Sequence, residues 1–205
     1  MKVKVCGMRD PENISELTQL DIDYIGYIFY SKSPRNVVRN PNVEIPSAIQ
    51  KVGVFVNESV EFIQERVIEY QLDFAQLHGD ETPEFCKELK EKGLKIIKAF
   101  SIGDGFDFKQ LDRYASCCEL FLFDAKGENY GGNGTTFNWA LLKHYDGVIP
   151  FLLSGGISSE YLDEIVEIQH PQLLGIDVNS GFEVSPAMKD VKKVKKMVEK
   201  IKNHG

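Results

Sequence analysis

The sequence predicts an α/β fold, a single-domain (β/α)₈ TIM barrel occupying residues 1–205. Two observations carry that expectation. Short apolar, β-rich runs alternate with helix-periodic segments about every 25 residues, eight times over, and the residues that follow those runs are almost all equipped for chemistry.

The expected strands are Val3–Cys6, Tyr24–Phe29, Lys51–Val56, Phe74–Leu77, Lys95–Phe100, Leu120–Phe123, Val148–Leu153 and Leu174–Val178. Between them lie expected helices at Pro11–Leu20, Ser59–Tyr70, Pro83–Lys92, Phe108–Ala115, Asn138–His144, Ser159–Ile168 and Asp190–Asn203, with a weaker one within Asn42–Gln50. Asp10-Pro11-Glu12, Thr82-Pro83-Glu84 and Ser158-Ser159-Glu160 read as N-caps, because a side-chain oxygen can accept from the orphan N–H groups of the first turn. Gly93 reads as a helix terminator. Parallel neighbours need crossover connections, so this alternation implies a parallel sheet.

Closure into a barrel is favoured over an open sheet by the distribution of polar residues. An open sheet concentrates ligand groups at one crevice, whereas a barrel uses all its strand ends. Here the ends carry Cys6-Gly7, Ser33-Pro34-Arg35, Asn57, His78-Gly79-Asp80, Ser101, Asp124, Ser154-Gly155-Gly156 and Asp177 to Gly181.

Composition narrows the function. The 205 residues are 42% hydrophobic and 27% charged, with a net charge of −7. That balance is a poor match for nucleic acid or an anionic membrane surface. The lysines from Lys189 to Lys202 alternate with Val191, Val194, Met197, Val198 and Ile201, as on an amphipathic helix with a solvated face. No apolar run reaches the length of a membrane span or resembles a signal peptide. The four cysteines form no CxxC pair and no metal-ligand spacing with the histidines, so reduced thiols in a cytoplasmic protein without a metal are expected. The sequence does not specify an oligomeric state.

Ser154-Gly155-Gly156 and Asn179-Ser180-Gly181 follow the last two strands, where backbone N–H groups can approach a phosphate without a Cβ in the way. A short extra helix over Val184–Met188 is expected to help, as in other phosphate-binding barrels. Gly127 and Gly132 have P-loop spacing, but Asn133 stands where lysine is needed, and no GxGxxG follows the first strand. The Gly-rich stretch Lys126–Thr136 reads as a lid over substrate or as a surface loop. Taken alone, Cys6 is more commonly a core thiol and Asp124 a cap or solvated acid. His78 is the histidine at a strand end.

Collectively, these segments resemble the phosphoribosylanthranilate isomerase family. The resemblance rests on Val3–Met8, Gly26–Tyr30 followed by Ser31–Arg35, Val52–Asn57, Gln76–Glu81, Leu122–Lys126, Gly131–Phe137, Leu153–Gly156 and Gly175–Gly181, in the family's order over almost the whole chain. It implies an Amadori rearrangement of an aminoaldose phosphate to an aminoketose phosphate in tryptophan biosynthesis, with no cofactor and a small sugar phosphate as the partner. It implies Cys6 as general base, Asp124 as general acid and Arg35 as the holder of the anthranilate carboxylate. His78 and Asp177 are expected at the substrate, and Gly155, Gly156, Ser180 and Gly181 at the phosphate. Asn133, Thr135 and Asn138 depart from the family's Gly-Gly-Thr-Gly-Lys-Thr-Phe-Asp-Trp lid. A sugar-phosphate epimerase would want a metal-binding His/Asp set, and a histidine-pathway isomerase would be expected to use two carboxylates. A barrel that only binds its ligand is a further alternative.

Overall fold

A computed structural model describes residues 1–125 and 139–204. Eight parallel strands close into a barrel in sequence order: β1 (Lys2–Val5), β2 (Tyr24–Ile28), β3 (Gln50–Phe55), β4 (Phe74–Leu77), β5 (Ile96–Ile102), β6 (Leu120–Ala125), β7 (Phe151–Leu153) and β8 (Leu173–Val178). The ring closes where β1 pairs with β8, in the register Lys2↔Gly175 to Val5↔Val178. Gly175 is required there, since a Cβ would stand 2.0 Å from the carbonyl oxygen of Lys2.

Helices α1 (Pro11–Leu17), α2 (Val60–Tyr70), α3 (Pro83–Glu91), α4 (Leu162–Val166) and α5 (Val191–Asn203) lie outside the ring. Asp10 and Thr82 cap α1 and α3 by accepting from the N–H groups of Asn13 and Phe85, and Gly93 ends its turn at φ 87°. Ser158 does not act as a side-chain cap: it precedes a 3₁₀ turn (Ser159–Tyr161), and its Oγ is buried with no hydrogen-bond partner among the described residues.

Four helical expectations change form. Residues 42–49 hold no helix. Pro41 precedes the segment, Pro46 interrupts it, and Asn42 sits at φ 50°, a left-handed geometry that breaks a helix. Phe108–Tyr114 and Trp139–His144 are 3₁₀ rather than α-helical. The extra helix expected over Val184–Met188 is instead a small antiparallel ribbon, β9 (Glu183–Ser185) and β10 (Met188–Lys189), entered through a 3₁₀ turn at Ser180–Phe182. Ala187 at φ 66° turns the chain back between the two strands.

Most buried apolar residues form one cluster between the ring and its outer layer. Tyr24, Val52, Phe74, Ile97, Leu120 and Leu122 make a separate cluster from the amino-terminal halves of the strands. Cys6, Ile28 and Val54 pack together at the carboxyl ends. The strands therefore stand on a packed floor, and polar groups gather above it.

Candidate active site

Cys6 follows β1, and its N–H donates to the Val178 carbonyl at 2.9 Å, fixing the thiol against β8. Room for the sulfur is provided by Gly26 on β2, where a Cβ would lie 2.8 Å from Sγ. Two residues before Cys6, the fully buried Lys4 donates from Nζ to Asp177 Oδ1 at 2.8 Å. Ser154 Oγ reaches the other Asp177 oxygen at 3.4 Å. Burial pushes the Cys6 thiol above its ordinary pKa. The Lys4 ammonium pulls it back, Asp177 pushes it up again, and the net direction is upward.

Asp124, near the end of β6, is almost fully buried. His78 Nε2 lies 3.2 Å from its Oδ2, and Gln76 Nε2 lies 3.0 Å from His78 Nδ1. With the Gln76 amide in this orientation, Nδ1 accepts, so Nε2 carries the proton and donates to the carboxylate. Gln76 Oε1 then has no partner among the described residues. The loop bearing His78 is clamped from below: Lys98 donates to the Gly79 carbonyl at 2.8 Å, and Glu81 accepts from the N–H groups of Asn57 and Gly79 at 2.9 Å each. Lys98 and Glu81 form a buried ion pair at 3.2 Å.

Arg35 approaches from the loop after β2 and is engaged by Glu183 of β9. Nε donates at 2.9 and 3.1 Å and Nη2 at 2.7 Å, a two-pronged charge-assisted contact. Lys189 of β10 donates to the same carboxylate at 2.6 Å and to Asn179 Oδ1 at 2.9 Å. These cations hold Glu183 below the ordinary carboxylate range against the opposing effect of burial, and burial holds the Lys189 ammonium below the ordinary lysine value. Gly7, at φ 75°, lets the Arg35 stem and Asn179 close in, since a Cβ would meet them at 2.8 and 2.7 Å.

After β7 and β8 the chain is shaped for an anion. Gly155 and Gly156 adopt φ 85° and 65°, left-handed backbone that suits glycine, with no Cβ to obstruct an approaching anion. Gly181 passes so close to β7's loop that a Cβ would lie 2.3 Å from the Ile157 carbonyl oxygen.

One open cavity of about 730 Å³ is lined by the nine residues to which the resemblance gives a site role: Cys6, Arg35, His78, Asp124, Gly155, Gly156, Asp177, Ser180 and Gly181. The Lys126–Thr136 stretch, with Asn133 and Thr135, and Asn138 lie outside the described residues. Sequence reasoning missed Lys4, Gln76, Lys98, Glu183 and Lys189. The first three had a signal, a long polar side chain inside an otherwise apolar strand, where burial without a partner is costly. Glu183 and Lys189 had none, because the expected helix hid the ribbon that pairs them.

The family model described as N-(5'-phosphoribosyl)anthranilate isomerase matches residues 3–200. A relative from Phocaeicola vulgatus, an N-(5'-phosphoribosyl)anthranilate isomerase, is 46% identical over 202 residues, covering 98% of each chain. The crystal structure of the phosphoribosylanthranilate isomerase of Thermotoga maritima superposes with a TM-score of 0.89 at 32% identity, over 99% of both chains. Another, of a phosphoribosylanthranilate isomerase in complex with reduced 1-(o-carboxyphenylamino)-1-deoxyribulose 5-phosphate, superposes at 0.85 and 30% identity, again over 99% of both. The closed eight-stranded barrel, its equipped strand ends and a family match across nearly the whole length agree, and the chain belongs to the N-(5'-phosphoribosyl)anthranilate isomerase family.

Proposed function

We propose that Cys6 and Asp124 carry out the two proton transfers by which this chain converts N-(5'-phosphoribosyl)anthranilate to 1-(2-carboxyphenylamino)-1-deoxyribulose 5-phosphate, a step of tryptophan biosynthesis. The observation carrying this reading is the placement of a buried thiol and a buried carboxylate on one cavity that also contains an anion-shaped loop pair and an arginine.

The substrate is an aldose joined through its anomeric carbon to an aromatic amine. Asp124 donates a proton to the furanose ring oxygen, the C1′–O bond breaks, and the nitrogen lone pair forms the C1′=N bond of a Schiff base. Cys6 thiolate removes the C2′ proton, and the electron pair moves to give an enolamine. Reprotonation at C1′ and loss of the hydroxyl proton at C2′ leave the aminoketose. The steps are proton transfers coupled to electron-pair shifts within the substrate, so the reaction is read as independent of a metal ion.

The acid needs a partner that accepts its proton in the resting state. Turning the Gln76 amide over lets Oε1 accept from His78 Nδ1–H, which leaves Nε2 bare to accept from a protonated Asp124. In either orientation one polar atom of the buried Gln76 amide faces no partner among the described residues, so the amide can serve both tautomers of His78. The base needs its thiolate. Burial makes the thiolate scarce but strongly basic, and the Lys4 ammonium keeps it accessible.

Gly155, Gly156, Ser180 and Gly181 offer backbone and hydroxyl donors to the phosphate. Glu183 takes the Nε edge of Arg35, so the Nη1 edge offers two N–H groups to the anthranilate carboxylate. A cytoplasmic setting suits the mechanism, since Cys6 must stay reduced to act as base. The chain is read as a single catalytic domain over residues 1–205.

Loss of the substrate's anthranilate fluorescence tests the reading. Wild type is expected to turn over in the presence of EDTA, and Cys6→Ser and Asp124→Asn each to lose about 10²–10⁴-fold in kcat. Robust turnover by Cys6→Ala removes the thiol from the mechanism, and activity confined to a histidine-pathway substrate overturns the assignment.

A further inference from the structure

Three cysteines remote from the cavity meet in space. Cys86 lies in the first turn of α3, and Cys117 and Cys118 occupy the turn that leads into β6. Their sulfurs all lie within 4.8 Å of one another, and all three residues are buried. The backbone holds them firmly. The Cys86 N–H donates to Thr82 at 3.0 Å, and the Cys117 and Cys118 N–H groups both donate to the Tyr114 carbonyl at 3.1 Å. Lys90 of α3 donates to the Ser116 carbonyl at 3.0 Å, strapping the turn to the helix.

We propose that Cys86, Cys117 and Cys118 form a three-sulfur site for one soft d¹⁰ cation of the cuprous or cadmium class. A metal–sulfur bond of about 2.3 Å in a trigonal plane sets the sulfurs roughly 4.0 Å apart, so the side chains need to move only by tenths of an ångström to ångström scale. Sulfur-only donation selects thiophilic ions over magnesium and calcium, which require oxygen.

The electrostatics single out Cys86 as the first thiolate of the cluster, while burial pushes Cys117 up. Cys118 and Cys117 hydrogen-bond to the Cys86 sulfur and hold Cys86 below the ordinary thiol value, while Cys118 is pushed up by the same contact. The Lys98 and Lys90 ammonium groups also favour thiolate in this cluster. The first turn of α3 adds the positive end of its dipole at Cys86. Each sulfur that binds releases its proton to solvent, so affinity rises with pH. Sequence spacing gives no sign of the site, because the fold joins positions on α3 to a turn one strand further on.

The site is independent of the isomerase mechanism, and its test reads binding. Reduced protein is titrated with cadmium chloride, with the thiolate-to-metal charge-transfer absorbance recorded in the ultraviolet. One ion per chain is expected for wild type and for Cys6→Ser, with a rise in Tm in both. Cys86→Ala and the double variant Cys117→Ala/Cys118→Ala are expected to bind at least tenfold more weakly and to show no Tm rise. Wild-type turnover by Cys86→Ala shows that this variant is folded. Absence of the band in wild type, its loss in Cys6→Ser, or its retention in folded Cys86→Ala overturns the site. A Cys86–Cys118 disulfide persisting under reducing conditions, seen by mass spectrometry, overturns it as well.

Discussion

At Cys6 opposing effects set the basicity of one sulfur. Burial and the Asp177 carboxylate both raise the thiol, and the Lys4 ammonium, held 2.8 Å from Asp177, lowers it. With the net shift upward, the fraction present as thiolate grows as pH rises, and kcat/KM is expected to climb through and above neutral pH. Asp177→Asn deletes a negative charge beside the sulfur and frees the Lys4 ammonium to face it, so the ascending limb should move to lower pH. A pH–rate profile of the two proteins checks this, and a limb that moves to higher pH would detach it from Cys6. The buried lysine is informative in its own right. Replacing a buried ion pair with apolar groups is often neutral or stabilising, so stability alone gives little reason for Lys4–Asp177 in the middle of an apolar strand pair. Cys6 and Asp124 stood out by falling at strand ends, but only the family resemblance attached roles to them. Lys4 was legible only as an anomaly, a charge between Val3 and Val5.

Among the elements, the β9–β10 ribbon does what a helix was expected to do, by different means. It presents Glu183 to Arg35 and Lys189 at once, so that one carboxylate orients two cations at the edge of the cavity. Glu183→Gln leaves both cations without their shared counter-charge, and a loss of about 3–5 kcal/mol at neutral pH is expected. The sign of the pH dependence follows from the shift. Glu183 is held below its unfolded value, so its contribution is fully present above that value and is lost as pH falls through the folded one. The Tm difference between wild type and Glu183→Gln should therefore shrink as pH falls below about 4.5, and a difference that stays constant would argue against the ion pair. The ribbon was hidden from sequence because Glu183–Lys189 has neither clean alternation nor a Gly-Asn turn. Its reversal depends on Ala187 at a positive φ that alanine rarely adopts. The helices begun by Asp10 and Thr82 were legible because their caps act locally, whereas the 3₁₀ segments at Phe108–Tyr114 and Trp139–His144 have helical spacing with tighter turns.

For the molecule as a whole, closure of the ring depends on a contact with no spare space. Gly175 on β8 lies against the Lys2 carbonyl of β1, and Gly175→Val has no position that clears it. The variant is expected to lose cooperative thermal unfolding or to show a Tm lower by many degrees, which circular dichroism would report. A wild-type melt would mean that β8 can shift its register. The eightfold alternation made the barrel legible. Which glycine seals it was not, because that depends on a partner at the other end of the chain.

The same seam has a consequence during synthesis. Lys4 and Asp177 pair across 173 residues, so β1 has only one sheet neighbour until β8 is available. A chain emerging amino end first therefore carries an open strand edge for most of its translation, and folding is governed by its most distant pairing. Lys4 is suited to that interval. Before Asp177 arrives, its charge discourages the bare edge from pairing with another chain. Afterwards it is buried against Asp177.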